Sequence, residues 1–78
     1  MPPHIEAAEY LGAYELRLTF SDGRTGIPDL EHALWGAMLE PLRDVEMFER
    51  FSIARELRTL VWPNGADLAP EYLDAAAA

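Results

Sequence analysis

Tyr14, Leu16, Leu18 and Phe20 alternate with Glu15, Arg17 and Thr19. That is the period of two expected of a strand with one buried face. Ser21-Asp22-Gly23-Arg24 follows, and glycine there accepts the positive φ of a tight hairpin turn. Thr25-Gly26-Ile27 reads as the returning strand. Pro28 cannot donate to a sheet ladder, so this strand is short or lies at an edge. Upstream, the apolar positions between His4 and Leu11 alternate poorly. A strand ended by Gly12 and a helix both remain open for that stretch.

The period then changes. Asp29 is placed as a helix N-cap, its carboxylate accepting from first-turn amides. Leu30, Leu34 and Trp35 fall at helical spacing before Gly36, which suits a C-terminal stop. Met38, Leu39 and Leu42 continue an apolar set around Pro41, a residue that starts or kinks a helix. Asp44 is placed as a second N-cap before Val45, Met47, Phe48 and Phe51. The pattern predicts one or two short helices between Leu30 and Phe51. They are expected to pack on the sheet through Leu34, Trp35, Leu39, Leu42, Met47 and Phe48.

The last third returns to β character, with Ile53-Ala54-Arg55-Glu56 and Thr59-Leu60-Val61-Trp62 compatible with a second hairpin. Leu57-Arg58 between them offers no Gly or Asn for a tight turn. Pro63-Asn64-Gly65 breaks the strand. Pro70 fits the first turn of a helix that runs through Glu71-Tyr72-Leu73-Asp74 into the alanines at 75–78. The expected fold is α+β: a small antiparallel sheet of three to five strands packed against two or three short helices. The 78 residues fit one domain, with its core over about residues 4–74 and an alanine tail at 75–78.

Composition narrows the function classes. A domain of this size buries only roughly 60% of the surface its unfolded chain exposes, and a single core of this kind supplies about 3–5 kcal/mol. Without cysteine, disulfides and thiolate metal sites are excluded, which keeps self-association in view. Half the residues are hydrophobic, so the chain is not a disordered acidic tail. No apolar run approaches the roughly 20 residues that span a bilayer, and the N-terminus lacks the basic start and apolar block of a signal peptide. A cytoplasmic location without membrane contact is the expectation.

Fourteen acidic residues against six basic ones, all six arginine, give a net charge of −8. That balance repels phosphate backbones, which proteins bind by neutralising them with Lys and Arg. Direct nucleic-acid binding is therefore not expected, and a basic protein partner is.

Catalytic constellations are not apparent. His4 and His32 have no His or Cys at ligand spacing, and neither Ser21 nor Ser52 sits in a G-x-S-x-G elbow. Asp22-Gly23 lacks the carboxylate ladder of an EF-hand loop, and the five glycines form no phosphate-binding motif. Carboxylate pairs are inevitable among fourteen acids, but paired-carboxylate chemistry needs a cleft. No enzymatic activity, cofactor or metal is expected.

Trp62-Pro63-Asn64-Gly65-Ala66-Asp67-Leu68 is the most distinctive segment. Tryptophan is enriched at interface hot spots, so Trp62, Asn64 and Asp67 are candidate partner contacts. The competing reading is that Trp62 closes the core while Asn64, Gly65 and Asp67 shape the turn into the last helix. Arg43 and Asp44 are two further candidates, with the same choice between presenting to a partner and pinning a loop by a charge-assisted hydrogen bond.

Leu18-Thr19-Phe20-Ser21-Asp22-Gly23, Pro28-Asp29-Leu30, the run from Glu40 to Phe48 and the run from Val61 to Pro70 occur in this order. Together they resemble the bacterial domain-of-unknown-function family 2442, over roughly residues 4–74. The resemblance implies a small α+β domain with a few antiparallel strands and short helices. Some members carry a helix-turn-helix domain after this one, and many lie beside a small candidate toxin gene. An antitoxin-like role is thus implied, without direct DNA binding by this chain and without catalytic residues to transfer. The expected function is a non-enzymatic interaction module that binds a small basic protein; the alternatives are a structural homo-oligomer using a strand edge or the Trp62 region, and a small carboxylate enzyme or ligand binder.

Overall fold

The computed structural model describes residues 3–77. Strand β1 (Ile5–Gly12) pairs antiparallel with β2 (Glu15–Phe20), which pairs with β3 (Thr25–Gly26). In β2 the alternation holds as expected, with Leu16, Leu18 and Phe20 buried. The stretch left open between strand and helix is β1. Register shifts between Ile5 and Ala7 and between Tyr10 and Gly12 explain its poor alternation. An extra residue in one strand shifts every later side chain to the opposite face.

The β2–β3 turn forms as read. Gly23 adopts φ +91°, and its amide donates to the Phe20 carbonyl at 2.9 Å. Pro28 follows β3 at the edge of the sheet and is buried. The chain stays beside β2 beyond it, through a bridge between Glu15 and Asp29.

A second three-stranded antiparallel sheet holds β4 (Ser52–Ala54), β5 (Thr59–Val61) and β6 (Asp67–Leu68), in that order. The expected second hairpin is therefore present, but Arg55 and Glu56 lie in its turn and not in the strand. The turn closes without glycine because Arg58 takes φ +54° and donates its amide to the Ala54 carbonyl at 2.7 Å. Strand β6 was not expected. The Trp62 amide donates to the Ala66 carbonyl at 2.9 Å and the Gly65 amide to the Trp62 carbonyl at 3.0 Å. This tight turn folds Leu68 back opposite Leu60. Between the sheets, the Ile5 amide donates to the Arg58 carbonyl at 2.9 Å.

The helical content is short. Single 3-10 turns occupy Glu31–Ala33 and Glu40–Arg43, and α1 (Val45–Phe48) is one turn long. Helix α2 (Pro70–Ala77) closes the chain and absorbs the alanines at 75–77; position 78 lies outside the described residues. Asp44 caps α1 as expected, its side chain accepting from the Glu46 amide at 3.1 Å. The Asp29 carboxylate accepts from the Glu31 amide at 3.0 Å.

One buried cluster joins both sheets and the helical turns. It contains Ile5, Leu16, Leu18, Phe20, Leu30, Leu34, Leu42, Phe48, Leu60, Trp62, Leu68 and Leu73. Leu39 and Met47 pack against it half-buried. Trp35 corrects the expectation that it packs on the sheet: it is 73% exposed. The helical spacing is not realised there, because the 3-10 turn ends at Ala33 and Gly36 adopts φ +89°. Leu34 therefore enters the core while its neighbour is turned outward.

Candidate interaction site

Four of the five candidate contact residues hold the fold together. Trp62 is 3% exposed, and its indole N–H donates to the Phe48 carbonyl at 2.7 Å. Its ring lies 5.9 Å from that of Phe48, against which Tyr14 packs edge-on at 5.5 Å. Trp62 thus closes the core, which corrects its reading as a partner contact. Asp44 is the cap of α1. Asp67 sits in β6 opposite Val61 and is exposed, a strand position and not the turn expected for it.

Arg43 and Asn64 work together on one segment. Arg43 Nε donates to the Leu34 carbonyl at 2.7 Å, and Asn64 Nδ2 donates to the Met38 carbonyl at 2.9 Å. The Arg43 carbonyl in turn accepts from the Tyr14 hydroxyl, and Asn64 Oδ1 accepts from the Ala66 amide at 3.0 Å. The loop between the two 3-10 turns, residues 34–39, is therefore fastened near both ends. The Glu40 amide, at the start of the second 3-10 turn, also donates to the Gly36 carbonyl of the loop at 2.9 Å. An irregular segment is mobile to the degree that its backbone groups lack partners; this one has partners at 34, 36 and 38.

What the fastened loop carries is apolar. Trp35 and Met38 are 73% and 50% exposed, on a loop whose other residues are Leu34, Gly36, Ala37 and Leu39. Sequence reasoning put Trp35 in the core and so missed it. Gly36 was the available signal, since a stop directly after Trp35 leaves too little helix to aim both Leu34 and Trp35 inward.

The charge is distributed unevenly. Arg17 pairs with Glu9, and Arg24 with both Asp22 and Asp74. Arg43 is held on the Leu34 carbonyl and Arg58 lies against His4 Nε2 at 3.1 Å. Four of the six arginines are thus engaged within the chain, whereas three of the fourteen acids, Glu9, Asp22 and Asp74, make ion pairs among the described residues. Glu31 and Glu40, exposed, flank the apolar loop. The Arg24 amide, and then its guanidinium, hold the Asp22 carboxyl below its ordinary range.

Among the described residues no group of three or more His, Cys, Asp or Glu side chains is placed to hold a metal ion. No described helix is long and apolar enough to cross a membrane. Two small antiparallel sheets sharing one core with short helical turns define an α+β domain. The chain belongs to the family described as Protein of unknown function (DUF2442), which matches residues 5–77. Comparison with the curated proteins gave no match, and comparison with the solved structures gave none.

Proposed function

We propose that this chain is a non-enzymatic protein-interaction module that binds a small basic protein, in the manner of an antitoxin. The observation that carries the reading is the loop at residues 34–39, pinned by Arg43 and Asn64 and presenting Trp35 and Met38. A pre-organised apolar anchor costs little ordering entropy on association. The excess of acids over arginines adds attraction for a basic partner, which acts chiefly on association rate.

Co-expression with the product of the adjacent gene tests it. A complex that co-purifies, together with rescue of growth, is the expected result; neither complex nor rescue removes the reading. Self-association is the weaker alternative. Strand β1 is an edge of its sheet, but it carries the exposed Glu6 and Glu9, and charges on an edge discourage strand addition. A monomer by light scattering at high micromolar concentration is the expected outcome.

A further inference from the structure

We infer that the loop at residues 34–39 is a docking point for a cationic segment of the partner, with an arginine or lysine side chain laid on the Trp35 indole and an adjacent apolar side chain against Met38. This rests on the interaction-module reading above and specifies its chemistry. The chain has two tryptophans. The one at 62 is buried with its N–H on the Phe48 carbonyl. The one at 35 is 73% exposed on a loop anchored at the Leu34 and Met38 carbonyls. An exposed indole face is the best side-chain acceptor for a cation.

Charge selects the occupant. Glu31 and Glu40 bracket the loop in the chain, and both are exposed. The nearest arginine in sequence, Arg43, has its Nε on the Leu34 carbonyl. That one guanidinium stands against the two carboxylates that flank the loop in the chain, so the flank keeps a net negative charge, which disfavours an anionic segment. A guanidinium or ammonium group suits both an exposed indole face and that net negative charge, and Met38, exposed on the same loop, offers an adaptable thioether surface for an aliphatic neighbour.

The probe is a blocked peptide, acetyl-Gly-Arg-Leu-Arg-Leu-Gly-amide, with a control in which citrulline replaces both arginines. Citrulline keeps the shape and removes the charge. Proton–nitrogen spectra give one indole signal for each tryptophan, so that of Trp62 reports the fold while that of Trp35 reports the site. Saturable movement of the Trp35 signal with the Trp62 signal unmoved is expected, with affinity falling about tenfold for the citrulline peptide. In Trp35→Ala the saturable component is expected to disappear from the backbone amides of residues 36–40 while the Trp62 signal stays in place. Shifts scattered over the acidic surface and unchanged by Trp35→Ala would overturn the assignment, as would equal binding of the citrulline peptide or no saturable binding.

Co-expression of Trp35→Ala with the adjacent gene product separates the two levels. Capture by Trp35→Ala equal to that by the native chain sinks the docking point and leaves the interaction reading standing. Saturable peptide binding at Trp35 without capture of that product by the native chain sinks the antitoxin-like partnership and leaves the docking point.

Discussion

Hydrogen bonds from single side chains to backbone carbonyls recur through this chain. The Trp62 indole donates to the Phe48 carbonyl in a buried setting, and a buried acceptor left without its donor costs roughly 1–3 kcal/mol. Trp62→Phe keeps an aromatic ring and removes the donor, so a loss of about that size is expected in urea unfolding, with the denaturant slope unchanged. The buried Thr59 hydroxyl donates to the Leu68 carbonyl and ties β6 to β5. Asp22 contributes to acid sensitivity. Its carboxyl is held below its ordinary value of 3.8, first by the Arg24 amide and then by the Arg24 side chain. A carboxylate with a depressed folded-state value stabilises fully above the ordinary value, and that stability is lost as pH falls through the depressed one. Asp22→Asn is accordingly expected to flatten the acid limb of the thermal-stability curve below about pH 4, measured by melts across the acid range. Asp44 was legible as a cap because its chemistry is local. The role of Asn64 was not, since it depends on Met38, 26 positions away in the chain.

Among the elements, the joint between α2 and β3 has the narrowest tolerance. A Cβ built on Gly26 would lie 2.6 Å from the Ala77 Cβ, so β3 and the last turn of the helix touch because glycine occupies that position. Arg24, just before β3, and Asp74 of α2 add an ion pair at 2.6 Å beside that contact, although exposed pairs contribute little by themselves. Gly26→Ala is expected to destabilise by about 1–3 kcal/mol and to speed amide exchange in residues 75–77. Adding Ala77→Gly should restore part of the loss, less the roughly 1 kcal/mol that glycine costs in a helix. A double-mutant cycle with no coupling between the two changes would refute the contact. Element types were legible where the apolar period was undisturbed, as in β2, and where a start signal stood ahead of good helix formers, as Pro70 does ahead of the alanines of α2. They were not legible where register shifts interrupted β1, or in the two residues of β6, which pair only because the turn at Pro63-Asn64-Gly65 returns the chain onto β5.

For the molecule as a whole, the antiparallel pairing and the helix-on-sheet core followed from the alternation and the turn chemistry, whereas the division into two three-stranded sheets did not. Division depends on how far β1 pairs with the β4–β5 hairpin it approaches, where the Ile5 amide donates to the Arg58 carbonyl, a long-range matter that periodicity does not encode. The net charge of −8 acts at this scale too. Salt at 1 M cuts the screening length to about 3 Å, so association with a basic partner is expected to slow steeply by stopped-flow while dissociation changes less. The two fasteners of the 34–39 loop grip carbonyl oxygens, which every amino acid supplies. Side chains at 35, 37 and 38 are therefore expected to be exchangeable while the anchoring bonds stay in place, and under the docking proposal each exchange alters what the loop selects, much as an antibody framework accepts new tips.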